Sequence, residues 1–289
     1  MILAVINVKN INFIDALLTD ANIQIVDMQK GLTNRNFLLT LNDQQYVFRT
    51  PYADASNIVN RHHETLALKA LENTQIDVET IYYDEASGYK VTKYLPDAYT
   101  YQECPYEDKI ERVALLMKQF HSLHTSIHVE FDPIARYQQY QSHVKTPLHT
   151  FTMLDTILEE LKAMHHPHIL CHNDWVDGNI LFTKDQTYLI DYEYAADNDP
   201  LFDVISFLSE NNIYDETLRT RFYQTYFDDF NDEIQKDLYI YEAFEDALWC
   251  TWANMMWDSR HDEIYKEIAQ AKYDAYQVVI KQWMACNEK

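Results

Sequence analysis

Glycine is nearly missing from this chain, with three residues in 289, at positions 31, 88 and 178. A G-x-G-x-x-G dinucleotide fingerprint, a G-x-x-x-x-G-K-[ST] P-loop and a G-x-S-x-G nucleophile elbow each need at least two glycines at fixed offsets. None of the three glycines meets such a spacing, so all three motifs are excluded by count. Basic residues are also few, 23 Lys and Arg against 46 Asp and Glu, for a net charge of −23. Nucleic-acid binding depends on Lys and Arg neutralising phosphates, so no nucleic-acid partner is expected. The four cysteines, at 104, 171, 250 and 286, form no C-x-x-C pair, which suits a reducing cytosol and a cytoplasmic location. The start, MILAVINVKNINFIDALL, lacks a basic n-region and a small-residue cleavage site, and its apolar stretches are too short to span a bilayer. No membrane insertion is expected.

Apolar residues make up 47% of the chain and aromatic residues 14%, enough for one large core or two modest ones. Charge is unevenly placed. Residues 1–95 carry eleven Asp/Glu against eight Lys/Arg, whereas residues 177–246 carry eighteen against four. A field of that sign concentrates cations near the second region, although a solubilising acidic surface explains the charge alone equally simply.

The first ninety-odd residues read as paired strands. IQIVDMQKGLTNRNFLLTLNDQQYVFRT alternates apolar and polar residues, with hairpin turns expected at KGLTN and LNDQQ. NIVNRHHETLALKALENT reads as a helix capped by Asn57, with Ile58, Leu66 and Ala70 among its apolar positions. VETIYYDEASGYKVTKYL returns to strand, turning at Ser87-Gly88. After Pro96 the pattern becomes helical: Val113, Leu116, Met117, Phe120 and Leu123 recur at helical spacing. NILF and TYLIDYEY read as two short strands around a turn at Lys184-Asp185, and everything beyond Pro200 reads as helix. These patterns divide the chain near residue 95, into 1–95 and 96–289.

HPHILCHNDWVDGNILF, residues 166–182, admits three readings. A zinc site would need a second Cys/His pair at a defined gap, and none follows. Cys171 and His172 are neighbours on an extended segment and point to opposite faces, which argues against a nucleophilic pair. The third reading uses Asp174, Asn179 and Asp191. The pattern D-x-x-x-x-N, followed by an aspartate after a short hairpin, is that of a kinase catalytic loop and its metal-binding acid. Asp174 then accepts a proton from a substrate hydroxyl. Asn179 and Asp191 ligate Mg²⁺ on ATP phosphates, and Glu193 is a further ligand or an outer partner. His172 holds the loop by hydrogen bonding.

CHNDWVDGNIL and LIDYEYAADNDPLFDVISFLSE together closely resemble the choline/ethanolamine kinases, above all bacterial choline kinases, within the aminoglycoside-phosphotransferase-like superfamily. The resemblance covers most of the chain. It implies an α+β, two-lobed, protein-kinase-like fold: an N-terminal antiparallel sheet lobe with one helix, and a larger, mainly helical C-terminal lobe. KGLTNRNFLL resembles the family's phosphate-binding hairpin, which assigns ATP contacts to Gly31, Leu32, Thr33, Asn34 and Asn36. YVFRTPY resembles the strand carrying the ATP-contacting basic residue, here Arg49, and Glu64 matches its helix partner. VTKYLP resembles the hinge, with Lys93, Tyr94 and Leu95. With a single glycine in the phosphate hairpin, Thr33 and Asn34 side chains are expected to supplement backbone N–H groups.

The acceptor is read from EDALWCTWANMMWDSRHDEIYKEIAQAKYDAY. Trp249, Trp252 and Met256 fall on one helix face, a spacing that core packing also produces. The resemblance assigns the choline site to Tyr194, Glu210, Trp249, Trp252 and Tyr265. A quaternary ammonium cannot donate hydrogen bonds and must be held by aromatic faces and a carboxylate. The expected partners are therefore ATP and a small cationic amino alcohol, choline first, with a homodimer an allowed assembly. Ethanolamine, aminoglycoside or thiamine phosphorylation on the same fold is the nearer alternative. A non-catalytic trimethylammonium-binding module is the more distant one, since it has no need of a base and metal ligands.

Overall fold

The computed structural model describes residues 23–28, 34–52 and 60–287. Gly31, Leu32, Thr33, Asn57 and Ile58 lie outside the described residues, as does most of the KGLTN turn. Three strands come first: β1 (Gln24–Asp27), β2 (Asn34–Leu41) and β3 (Gln44–Pro51). Helix α1 (Arg61–Ala70) is capped by Asn60, whose side chain accepts the His62 N–H, so the cap lies three residues beyond the one read from sequence. Strands β4 (Thr80–Asp84) and β5 (Tyr89–Lys93) complete an antiparallel sheet in the order β1-β2-β3-β5-β4.

Two of the three expected hairpin turns of that sheet fall among the described residues, and both are present. Asn42 and Asp43, between β2 and β3, have φ of 51° and 62°, a left-handed pair that matches the twist of the strands they join. At Gly88 (φ 74°) a Cβ would stand 2.7 Å from Arg61 Nε and 2.8 Å from Pro51 Cγ, so conformation and space both require glycine there. Tyr82 and Val91 are buried across the β4–β5 pair, with Phe48 set edge-on to Tyr89 at 5.6 Å.

Helices follow: α2 (Lys109–His121), α3 (Pro133–His143) and α4 (Leu154–Ala163). Val113, Leu116, Met117 and Phe120 line the buried face of α2, while Leu123 falls beyond its end. Strand β6 (Ile169–Cys171) leads through a loop and a 3-10 turn (Asp177–Asn179) into β7 (Ile180–Phe182) and β8 (Thr187–Leu189), the hairpin expected around Lys184-Asp185. Strand β9 (Ala196–Asn198) pairs antiparallel with β6. The remainder is helical: α5 (Pro200–Glu210), α6 (Glu216–Tyr226), α7 (Asp232–Arg260) and α8 (Glu263–Asn287). Pro at the first position of α5 and Asp199 as its cap explain why that helix begins where it does.

Packing density separates two compact units. One comprises the residues up to Lys109 together with Asp177–Ala195, and the other Ile110–Val176 with Ala196–Lys289. The β7–β8 hairpin is therefore packed with the five-stranded sheet's unit, because Leu189 N–H bonds Ile76 O and the Tyr99 and Phe182 peptides bond each other. In the second unit α7 packs along α8. Among the described residues, twelve non-glycine residues have positive φ; seven are Asn or Asp and three are His. No described helix is long and apolar enough to cross a membrane.

Candidate active site

In the first unit Arg49 is the organising residue. It projects from the middle of β3, opposite Asn36 on β2 and Lys90 on β5, and is buried. Its Nη2 donates to Glu64 Oε2 at 2.7 Å and its Nη1 to Asp191 Oδ1 at 2.6 Å. Glu64, on α1, is 1% exposed and also accepts from the Tyr83 hydroxyl at 3.2 Å. Burial alone would raise the Glu64 pKa, but Arg49 and Lys90 outweigh it and hold the carboxyl below its ordinary range. For Arg49, burial works against the charge, yet Glu64 and Asp191 push its pKa up, so both members of the pair are charged.

Asp191 follows β8 with φ 68°, a left-handed conformation that Asp tolerates better than most residues. The next peptide back, Ile190 N–H, bonds Asn179 O at 2.9 Å, which brings Asn179 beside Asp191 at the end of the β7–β8 hairpin. Glu193 is buried, and its Oε2 accepts from Asn34 Nδ2 at 3.0 Å. Asn34, Arg49, Glu64 and Glu193 line a cleft with Pro51, Arg61 and Gly88. Of the residues expected to form the hinge, Lys93 is exposed and donates its N–H to Glu79 O. Tyr94 N–H bonds Gln45 O, and Leu95 is half-buried beside them. The oxygen donors of Asn179, Asp191 and Glu193 suit a hard divalent cation such as Mg²⁺.

In the second unit, the loop after β6 is held from beneath by one residue that sequence reasoning missed. Asp203, fully buried in the first turn of α5, accepts the His172 N–H at 2.8 Å and the Asn173 N–H at 2.7 Å. His121 Nε2 lies 3.0 Å from the same carboxylate. Burial tends to raise the Asp203 pKa, but the hydrogen bond and charge of His121 bring it below the ordinary carboxylate value. Asn173 (φ 63°) accepts from Asn198 Nδ2 at 2.8 Å, and Trp175 N–H bonds Ser206 Oγ at 3.1 Å. Asp174 stands half-exposed between these fixed neighbours. The His172 side chain is buried edge-on to Trp175, and the loop is fixed through the His172 backbone. The other groups of the Cys/His run disperse. His165 is exposed, His166 pairs with Asp199 at 2.6 Å, and His168 pairs with Glu130 at 2.8 Å. The buried Cys171 thiol donates to Asn198 O at 3.4 Å.

Trp249 and Trp252 lie near-perpendicular on α7, with centroids 6.3 Å apart, and Tyr265 on α8 stands at 80° to Trp252, 5.8 Å away. All three are partly exposed. Trp252 also packs on the Cys250, Ala253 and Ala269 cluster, so the core role and the ligand role share one side chain. Glu210 is not a lone carboxylate: Lys272 Nζ donates to its Oε1 at 2.6 Å and to Ser209 Oγ at 2.8 Å. Lys272 was legible as an anomaly, a lysine in register with the buried Ala269, Tyr276, Val279, Ile280 and Trp283 of α8. Asp203 was legible in the same sense, as an acid inside the apolar run LFDVISFL. Tyr194 belongs to the first unit and is half-buried.

The antiparallel sheet with its helix, the mostly helical remainder and the acid-bearing hairpin beside a buried Arg–Glu pair define a kinase-like phosphotransferase. The sequence profile of the phosphotransferase enzyme family matches residues 25–241. The chain belongs to that family. It is 28% identical to protein LicA of Haemophilus influenzae over 264 residues, covering 85% of this chain and 76% of LicA. A choline/ethanolamine kinase family protein from Mesorhizobium loti superposes with a TM-score of 0.77 at 20% identity, over 93% of each chain. Choline kinase LicA from Streptococcus pneumoniae does so with 0.75 at 21% identity, over 95% of this chain and 99% of that one.

Proposed function

We propose that this phosphotransferase moves the γ-phosphoryl group of ATP to the hydroxyl of a small amino alcohol, choline in particular. The observation that carries the choline reading is the near-perpendicular set Trp249, Trp252 and Tyr265, partly open to solvent. Two ring faces at right angles suit a cation that offers no hydrogen-bond donors, at roughly 0.5–2 kcal/mol per face depending on desolvation. Glu210, at the end of α5 and paired with Lys272, is the carboxylate this reading assigns to the site, in a chain whose net charge concentrates cations.

The residues divide the work as follows. Asp174 accepts the acceptor's hydroxyl proton. The freed oxygen attacks the γ-phosphorus, the bond to the β–γ bridging oxygen breaks, and ADP leaves with that electron pair. Arg49, kept in place by Glu64, faces the donor's phosphates, with Asn34 and Asn36 beside it. Asn179, Asp191 and Glu193 would hold Mg²⁺, which supplies charge neutralisation on the phosphates when bound. Lys93, Tyr94 and Leu95 form the hinge against the nucleotide's base, and residues 1–95 form the ATP-binding lobe.

A coupled ADP-release assay with Mg-ATP and choline, ethanolamine, an aminoglycoside and thiamine tests this reading. Choline should give the highest kcat/KM. A preference for any other acceptor overturns the choline assignment, and ADP release with none overturns small-alcohol phosphorylation altogether.

A further inference from the structure

Helix α7 carries an acidic pair, Glu245-Asp246, within its apolar length, and both are buried. Asp246 has partners: Lys272 Nζ lies 3.6 Å from Oδ1, and Ser209 Oγ donates to the same atom at 3.3 Å. Glu245 differs. It is fully buried, and neither carboxylate oxygen has a hydrogen-bond partner among the described residues. An ionised carboxylate there would lose its hydration with no hydrogen bond in exchange, which favours the protonated acid.

Helix geometry says which way Glu245 faces. Residues at i, i+4 and i+7 share a helix face, so Glu245, Trp249 and Trp252 form one column on α7. Burial pushes the Glu245 pKa well above the ordinary carboxylate range. The next largest influence is the charge of Glu210, which raises it further, ahead of its own neighbour Asp246. Glu245, fully buried, thus stands at the inner end of the column that the two partly exposed tryptophans continue, within reach of the charge on Glu210.

We propose that Glu245 is a specificity-determining residue of the cation site, a second carboxylate besides Glu210 that gives up its proton to solvent when a cation enters beside Trp249 and Trp252. The inference rests on reading that site as the pocket for a cationic acceptor.

The charges facing Glu245 support the exchange. Asp203 on α5 is satisfied by His121 and two backbone N–H groups, and Glu242 on α7 by both Nη atoms of Arg219 on α6. Tyr241 donates to Asp199, and burial raises the pKa of Tyr214, keeping that phenol neutral. The Cys250 thiol is likewise neutral, pushed up to about 12 by burial. Glu210, Glu245 and Asp246 therefore share one ammonium, Lys272, which sits closest to Glu210. A permanent cation in the column adds the second positive charge that lets a second carboxylate ionise. A quaternary ammonium asks no hydrogen bond of Glu245, only its charge. The uncharged carbon analogue of choline, 3,3-dimethylbutanol, fills the same volume and should displace no proton.

Calorimetric titration of the whole protein with choline, in buffers of different ionisation enthalpy, counts the protons released. The expected result at pH 7 is release approaching one proton per choline, with Kd falling as pH rises by up to about tenfold per unit. Glu245→Gln, which has the shape of the protonated acid, should abolish the release and bind choline roughly tenfold more weakly at pH 8. Asp174→Asn, which removes the proposed base, should leave the release intact. Choline binding without proton release overturns the inference and leaves the choline reading standing, as does undiminished release in Glu245→Gln. If ethanolamine binds and choline does not, the choline reading falls, and the same count with ethanolamine decides the inference. If no cation binds, both fall.

Discussion

Asp203 Oδ1 accepts the backbone N–H of Asn173 at 2.7 Å while its Oδ2 accepts that of His172 at 2.8 Å, so one carboxylate fixes the two residues that precede Asp174. Asp203→Asn keeps the shape but turns one acceptor into a donor facing an N–H. The expected outcome is a loss in kcat on the order of 10²-fold with nucleotide KM nearly unchanged, because the loop shifts and the nucleotide's ligands do not. The pH dependence of stability carries the same signature. The Asp203 pKa is depressed in the folded state, so its contribution is present above about pH 4 and is lost as pH falls through the lower, folded value. Acid denaturation curves of wild type and variant should differ in that window.

Arg49 bridges Glu64 and Asp191, and its removal leaves Glu64, 1% exposed, with Tyr83 and the more distant Lys90 as its partners among the described residues. Arg49→Ala should cost about 3–5 kcal/mol of stability, the penalty of stranding one member of a buried pair. Arg49→Lys keeps the charge but cannot reach both carboxylates with one planar fork, and should fall between. Chemical denaturation and the KM for ATP measure the two consequences separately.

Asp174→Asn and Asp191→Ala should separate chemistry from nucleotide binding. The first removes the proposed general base and should lower turnover about 10²- to 10⁴-fold while nucleotide binding persists. The second should lose Mg-dependent nucleotide binding and turnover together. Wild-type rates in both variants would remove these residues from the mechanism.

Trp249→Ala and Trp252→Ala should each raise the KM for choline about 5- to 30-fold, the loss of roughly 1–2 kcal/mol of desolvated cation–π contact, with little change for ATP. Trp252 also touches the Cys250–Ala269 cluster, so its truncation should lower the melting temperature as well. A lowered melting temperature with wild-type choline KM would assign it to the core alone.

Asp246 offers a stability test of opposite sign to Asp203. Burial pushes its pKa up to about 7 from an ordinary 3.8. Between those values the folded state holds a proton that the unfolded chain has released. Stability therefore falls as pH rises through this window, by at most about 1.4 kcal/mol per unit, and levels off above it. Asp246→Asn removes that slope. Its melting temperature relative to wild type should be more favourable at pH 8 than at pH 5.

The local patterns of the sheet and of the acid-bearing hairpin were legible because each depends on neighbours in sequence. The Asn42-Asp43 and Ser87-Gly88 turns and the period-2 strands are local signals, as is the spacing from Asp174 to Asn179. What escaped was long-range pairing. Nothing near Glu210 announces that Lys272 will neutralise it, and nothing near Asn173 announces Asp203. Each appears in sequence only as a charged residue on an otherwise apolar helix face, which signals an unseen partner without naming it. The helix cap moved from Asn57 to Asn60 for a simpler reason: two asparagines three residues apart satisfy the same capping rule.

The scarcity of glycine has a consequence for engineering thermostability. Asn and Asp reach the left-handed region at a modest penalty, but Gln75 (φ 62°) and Met153 (φ 68°) have no short polar side chain to ease it. Met153 is 41% exposed and precedes α4 without a side-chain cap, so its side chain gives the helix start nothing that glycine would remove. Met153→Gly would relieve that penalty, the reverse of the usual route in which a glycine is replaced to gain stability.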